Sequence, residues 1–360
     1  MMNFVFITTI YLPHMGGIEI YVHEIAQYLI KQGHSVDIIV ADKTYNEVKM
    51  ESIDGEKIIR IPANEINGFF FLKNRNYIQL IKEKIKNADI VHLNVSKFLF
   101  GFLAKEKRKF NYRLIVTSHG WLYHTQKHKI IKDFYFRHII AKYAPLYNGI
   151  INVSYQDQDI AKKFGVKNTI VILNGVDCYK YSDLTPKVSF DGHFVYWGRI
   201  SQNKGIFECL KKLSAYKKGF HFNIIGCCED RAYQEKLDQF IITEGLSDKI
   251  KFLGVLPDEQ IRKILEETDI ILMPSLHEGF GMTLVECLLS GRPIIANTNE
   301  SYEYILHCTN AQEYLFDFED ETSKIEDKIN ELLLKKIVPS NTEQFSIENM
   351  IEKTLAVYGI

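Results

Sequence analysis

The sequence predicts an α/β protein made of two parallel-sheet halves in tandem. Short apolar runs alternate with helical patterns through the first half, and the alternation breaks at Asn174-Gly175-Val176-Asp177 and the polar stretch 179–192. A second alternation then begins at His193. Strands alternating with helices build parallel sheets. Each half opens on a strand followed by a glycine-bearing loop, and ligands in such sheets bind at the carboxyl ends of the strands.

In order, the first half gives strands over 4–10 and 35–40, the latter introduced by the turn Gly33-His34, and an extra strand over 57–61. Further apolar runs at 90–93, 114–117, 149–153 and 169–173 read as buried strands. Helical spacing covers 19–32, 77–86, 127–143 and 157–164. The second half repeats the pattern with strands over 193–197, 220–225, 250–253 and 270–273, and helices over 205–214, 233–244, 258–267 and 283–289. Pro274 closes the strand at 270–273, and Gly291 with Pro293 stops the helix after it. A less regular acidic segment follows, and then a final helix over 347–357.

At 360 residues the chain suits two domains with substantial cores. A net charge of −1 gives no global field for nucleic acid. The charge is uneven, however: residues 97–142 hold eleven Lys and Arg against Glu106 and Asp133, whereas 313–331 is acidic. Six cysteines, none in C-x-x-C spacing, fit reduced thiols in a cytoplasmic protein. The opening MMNFVFITTIYLPH lacks a basic leader and reads as a buried strand. The longest apolar block, 98–104, is far short of the roughly 20 residues that cross a bilayer.

Four stretches carry candidate chemistry. In 270–296, Glu278 and Glu286 lie eight positions apart, with Gly279 and Gly281 flanking Phe280. The helix beginning near Met282 and Thr283 aims its N-terminal N–H groups at that loop, as an anion site would require. In 198–205, Arg199 and Lys204 flank one tight loop after a strand, so guanidinium and ammonium can converge on a diphosphate. The plain alternative is an exposed basic turn. Gly16 and Gly17, before the first helix, let the backbone approach a ligand, yet they form no G-x-G-x-x-G, which argues against a dinucleotide dehydrogenase. His119, in Thr117-Ser118-His119-Gly120, sits at a strand's carboxyl end. His124, His128 and His138 read as spectators.

Asp157-Gln158-Asp159 mimics a metal-binding D-x-D, but Ser154 precedes it as a helix cap, and the two aspartates read as first-turn acids. No His or Cys spacing predicts a metal site. The helix over 127–143 sets Ile130, Ile131, Phe134, Ile139 and Ile140 among Lys and Arg. With Lys105, Lys107, Arg108 and Lys109 it forms either a basic surface for anionic lipid or an ordinary packing helix.

Residues 274–293 resemble the E-x7-E signature of the retaining glycosyltransferases of family 4, with Cys287 where that family more often has alanine. The elements 198–205 and 14–19 match its basic and glycine loops. The resemblance covers nearly the whole chain and implies a GT-B fold: two Rossmann-like, doubly wound domains facing across a cleft. It implies domains at 1–177 and 178–344, with a C-terminal helix at 345–360 returning to the first. Val91-His92-Leu93, 117–125, 196–205 and 277–281 are most similar to bacterial exopolysaccharide α-mannosyltransferases. The implied roles are donor-sugar contacts for Glu278 and His119, ribose contacts for Glu286, and diphosphate binding for Arg199 and Lys204. The implied reaction takes GDP-mannose and a lipid-linked saccharide acceptor, without metal or cofactor, at the inner face of the cytoplasmic membrane. A UDP-sugar donor, a sugar-nucleotide epimerase and a non-catalytic carbohydrate-binding protein stand as alternatives; the epimerase would need a set of acids and bases that the sequence does not display.

Overall fold

The computed structural model describes the chain except for residues 15, 122–128, 186, 188, 229, 322, 323 and 336. It falls into two compact units, Met1–Gly175 with Ile347–Ile360, and Val176–Ser346. His124 and His128, and the opening residues of the helix expected over 127–143, lie outside the described residues.

The first unit runs β1 (Asn3–Thr8), α1 (Gly17–Lys31), β2 (Ser35–Asp42), β3 (Lys49–Ile53), β4 (Glu56–Ile66), β5 (Phe69–Leu72), α2 (Tyr77–Lys86) and β6 (Ile90–Leu93). It continues with α3 (Phe100–Glu106), β7 (Arg113–Thr117), α4 (Lys129–Tyr135), a π-helical turn, α5 (Ala141–Tyr143), β8 (Gly149–Asn152), α6 (Tyr155–Lys163) and β9 (Thr169–Val171). The strand order is β3-β4-β2-β1-β6-β7-β8-β9, with β5 on β4, and every pairing is parallel except the two of β3 and β5 with β4. Side chains alternate across the sheet. Val5, Ile7, Val91 and Leu93 therefore fill one core and Phe4, Phe6 and Ile90 the other.

The sequence reading placed one extra strand at 57–61; it is the middle of the longer β4, which carries a hairpin at each end. Asp54-Gly55 (φ 48 and 85) joins β3 to β4, and Asn67-Gly68 (φ 52 and 77) joins β4 to β5. Both central residues of a two-residue hairpin of this kind need positive φ, which these pairs supply. The apolar block at 98–104, read without structure, forms most of α3.

The second unit runs β10 (His193–Trp197), α7 (Ile206–Ser214), β11 (His221–Ile225), α8 (Arg231–Thr243), β12 (Ile250–Gly254), α9 (Asp258–Glu267) and β13 (Ile270–Met273). Then come α10 (Met282–Leu289), β14 (Ile294–Asn297), α11 (Glu300–Cys308), β15 (Leu315–Phe316) and α12 (Lys324–Leu334). Its six strands, all parallel, are ordered β12-β11-β10-β13-β14-β15. The chain winds outward from β10 one way and from β13 the other, so the crevice at the carboxyl ends of these two strands is the topological switch point. The acidic segment is more regular than its sequence implied. Asn299 caps α11 by accepting from the Tyr302 N–H at 3.0 Å, and Ile325, Ile329 and Leu332 bury one face of α12.

The last helix, α13 (Ile347–Tyr358), lies on the first unit, where Met350, Ile351 and Tyr358 join Phe4 and Phe6 in one core. The Tyr358 hydroxyl bonds His92 Nδ1 at 2.6 Å, and His92 Nε2 bonds Thr117 Oγ1 at 2.8 Å. Burial pushes His92 down to about 3, so the ring is neutral. No helix among the described residues is long and apolar enough to cross a membrane.

Tyr358→Phe leaves one buried imidazole nitrogen without its partner and should cost about 1–3 kcal/mol. Urea unfolding should show a lower midpoint at unchanged slope. A midpoint equal to wild type would mean that the Tyr358–His92 bond adds nothing to the hold on α13.

Candidate active site

In the second unit, the loops after β10 and β13 meet at the switch point. Gly205 (φ 65) lets them approach: a Cβ there would stand 2.0 Å from the Pro274 carbonyl oxygen. The contact is sealed by the Leu276 N–H donating to the Asn203 carbonyl at 2.9 Å. Lys204 Nζ consequently reaches Glu278 Oε1 at 2.6 Å, with both side chains largely buried. The Tyr302 hydroxyl donates to the same oxygen at 3.0 Å, and Ser301 Oγ donates to the Glu278 carbonyl at 2.9 Å. Tyr302 and Ser301, on α11, are site residues that sequence reasoning missed. Their signal was the Asn299 cap that fixes the helix on which they stand.

Gly281 (φ 107) caps α10, whose first residues Met282 and Thr283 follow Gly279 and Phe280 directly. The first N–H groups of a helix have no intrahelical partner and attract anions. Phe280 is buried against Phe345, ring centroids 5.9 Å apart. Cys287 is buried with its sulfur 3.8 Å from that of Met273, so the side chain that departs from the family pattern packs α10 onto β13.

Glu286 belongs to a different constellation. Its carboxylate lies 3.6 Å from Lys180 Nζ, which is also 2.9 Å from Asp258. Burial raises Glu286 above the usual carboxylate range, and the Lys180 charge opposes that rise. Lys180 was not foreseen; it lies in the polar stretch 179–192, where the alternation of strands and helices breaks. Arg199 is exposed, with no ion pair among the described residues, and its carbonyl accepts from the Tyr196 hydroxyl at 2.7 Å. The structure thus joins Lys204 to Glu278 and gives Glu286 and Arg199 separate surroundings.

In the first unit the switch point lies between β1 and β6. Gly16, in extended backbone, caps α1, and Gly17 is its first residue. His14 Nδ1 stands 2.5 Å from Glu19 in the first turn of that helix. His119, Gly120 and Trp121 follow β7 with φ of 44, 88 and 46. Left-handed backbone at His and Trp stores strain that the surroundings must hold. Asp157 provides much of that hold, accepting from Ser118 Oγ at 2.5 Å and from the Gly120 N–H at 2.8 Å. Trp121 Nε1 donates to Asn152 Oδ1 at 3.0 Å. The His119 ring is buried edge-on against Tyr21, 4.9 Å between centroids, with Nε2 3.3 Å from Asn94 Oδ1. Ser154 caps α6 through the Asp157 N–H, whereas the Asp157 carboxylate turns away to hold the His119 turn. Asp159 is exposed. Among the described residues no group of three His, Cys, Asp or Glu side chains is placed to hold a metal ion.

Two family models, Glycosyltransferase Family 4 over residues 15–180 and Glycosyl transferases group 1 over 186–349, between them match most of the chain. The chain belongs to glycosyltransferase family 4. It is 27% identical over 293 residues, 79% of this chain and 76% of the other, to the GDP-mannose:cellobiosyl-diphosphopolyprenol alpha-mannosyltransferase of Xanthomonas oryzae. Sucrose-phosphate synthase from Thermosynechococcus elongatus superposes with a TM-score of 0.74 at 16% identity, covering 100% of this chain and 98% of that one. A glycosyltransferase from Rickettsia africae gives 0.72 at 22%, covering 99% and 98%. The fold is GT-B, two Rossmann-like α/β domains, and the protein is a hexosyltransferase.

Burial raises Asp157 from an ordinary 3.8 to about 6, against the pull of its bonds to Ser118 and Gly120. A carboxyl with a raised pKa adds stability that is complete below its unfolded value and is lost as pH rises through the folded one. The gap corresponds to about 3 kcal/mol. Asp157→Asn keeps the acceptor without the charge, so its stability relative to wild type should improve between about pH 4 and pH 7. Urea unfolding at the two pH values checks this; a difference that does not change with pH would contradict it. Asp157→Ala removes the clasp and should slow transfer while leaving the second unit's fold intact.

Proposed function

We propose that this family 4 enzyme transfers mannose from GDP-mannose, with retention, to a lipid-linked saccharide in bacterial surface polysaccharide synthesis. The name of the Xanthomonas relative supports the donor, and that of an O-antigen chain mannosyltransferase of Salmonella typhimurium, 26% identical over 188 residues, supports the sugar. The observation that carries the reading is the Lys204–Glu278–Tyr302 group beside the α10 N-terminus, at the switch point of the second unit.

As the bond from sugar to phosphate breaks, negative charge grows on the diphosphate and positive charge on the sugar. Lys204, Arg199 and the first N–H groups of α10 (Met282, Thr283) stabilise the diphosphate. Glu278, held by Lys204 and Tyr302, orients donor-sugar hydroxyls, and Gly279, Phe280 and Gly281 bring the loop backbone close. Glu286 receives the ribose hydroxyls. His119 is assigned a donor-sugar contact, and Gly16 and Gly17 a backbone approach to the donor. A leaving phosphate oxygen takes the acceptor's proton. Basic groups replace a divalent ion, so no metal is required, and the enzyme works at the cytoplasmic face of the membrane.

Calorimetry and a transfer assay test this reading together. GDP should bind more tightly than UDP, and Glu286→Gln should weaken GDP binding about tenfold, the loss of one charge-assisted bond. Arg199→Ala should weaken both GDP and donor. Transfer should survive excess EDTA. Preference for UDP would overturn the donor, and activity lost to EDTA but restored by manganese would overturn metal independence.

A further inference from the structure

Two glutamates of the second unit, Glu278 and Glu286, hold their charge in different ways. Glu278 gives one oxygen to two donors, the Lys204 ammonium at 2.6 Å and the Tyr302 hydroxyl at 3.0 Å. Glu286, on α10, has the Lys180 ammonium at 3.6 Å, and its side chain is 19% exposed. That separation neutralises charge but is too long for a full hydrogen bond. Among the described residues no hydroxyl or amide donates to the Glu286 carboxylate. Its charge is answered, and its oxygens are left to accept from a ligand.

Lys180 is held in this place from several sides. Its ammonium pairs at 2.9 Å with Asp258, the first residue of α9. A carboxylate is favoured there by the unpaired N–H groups of the helix. The neighbouring Tyr181 is buried edge-on against Trp197, 5.6 Å between centroids, and its hydroxyl donates to the same Asp258 oxygen at 3.3 Å. Arg262, one turn further along α9, donates to the Lys180 carbonyl at 3.3 Å and to Asp183 at 2.6 Å. Backbone and side chain of Lys180 are both latched to α9, so the ammonium cannot follow Glu286 and close on it.

The local charge depends on this cation. Burial raises Glu286, and repulsion from Asp258 and Asp177 adds to the rise; Lys180 is the group that opposes it. Burial also opposes the charge of Lys180 itself, yet Glu286 and Asp258 outweigh it and raise the ammonium above its ordinary range. Without Lys180, the carboxylates of Asp177, Asp258 and Glu286 would act on one another with no cation between them. A buried carboxylate in that situation takes up a proton, and one of its acceptor oxygens becomes a donor.

We propose that Lys180 is a positioning residue for the nucleotide: anchored on Asp258, it keeps Glu286 charged without occupying the carboxylate, which then accepts from both hydroxyls of a ribose. The proposal rests on the ribose contact assigned to Glu286 above. A vicinal diol is the chemistry that such a carboxylate selects, because two neighbouring O–H donors can each reach one of its oxygens. A sugar lacking those hydroxyls leaves the acceptors unmet. Lys180 acts through Glu286; the diphosphate is assigned to Arg199 and Lys204.

Calorimetry on the full-length protein with GDP and 2′,3′-dideoxy-GDP separates this role from a structural one. Wild type should bind GDP about tenfold more tightly than the dideoxy nucleotide, the loss of a charge-assisted bond. Lys180→Met should weaken GDP about fivefold or more and leave dideoxy-GDP within about twofold, which also shows that the variant folds. Between about pH 8 and pH 6 the variant's remaining preference for GDP should fall more steeply than that of wild type, because Glu286 has lost the cation that keeps its proton off. Equal affinity of wild type for the two nucleotides overturns the ribose contact itself, and the proposal with it. A preference for GDP that is unchanged in Lys180→Met, a loss of equal size for both nucleotides, or a pH profile no steeper than that of wild type overturns the positioning role and keeps the ribose contact. The same pair of nucleotides built on uridine gives the same reading if UDP is the tighter ligand.

Discussion

The contact between Lys204 and Glu278 is the interaction on which the proposed donor site depends. A basic loop and an acidic loop, each following a strand at the switch point, are brought together by a glycine that tolerates a carbonyl where a Cβ would stand. Removing water from one charge is costly, and each side chain here relieves the other. The pair also sets directions. With one carboxylate oxygen held by Lys204 and Tyr302, the rest of the Glu278 side chain is fixed, and so is the ammonium that is proposed to meet the diphosphate. Preorganised groups of this kind stabilise developing charge without reorganising at the moment of reaction.

The first unit solves a different problem. Its His119 turn holds three consecutive residues in left-handed backbone, two of them non-glycine. A strained turn persists only where its surroundings over-determine it. Asp157 from α6, Asn152 from β8 and the Tyr21 ring from α1 do so here, and beneath them Tyr358, His92 and Thr117 form a buried polar chain that includes α13. The last helix of the chain thus supports the turn from which a catalytic histidine is proposed to act.

Much of this was legible in the sequence because buried parallel strands are continuous apolar runs. Residues 90–93, 193–197 and 270–273, and the helices over 77–86 and 258–267, were read with the bounds the structure gives. The misses have particular causes. The hairpins around β4 were announced by Asp54-Gly55 and Asn67-Gly68, but the polar alternation of Lys49–Ile53 and the short Phe69–Leu72 run hid the strands they join. Tyr302 and Lys180 act on partners far along the chain, and no local pattern predicts where a side chain reaches. Asp157 was read for its place in a helix's first turn, which is correct for its N–H and silent about its carboxylate.

The central claim is that Lys204 and Glu278 work as one unit on the donor. A double-mutant cycle of Lys204→Ala and Glu278→Gln, read as kcat/KM with the proposed donor, GDP-mannose, tests it most directly. If the two form one unit, the double variant is about as impaired as the worse single variant, because the first change already dissolves the arrangement. If the two losses multiply, the residues act independently on the donor and the account of the site is wrong.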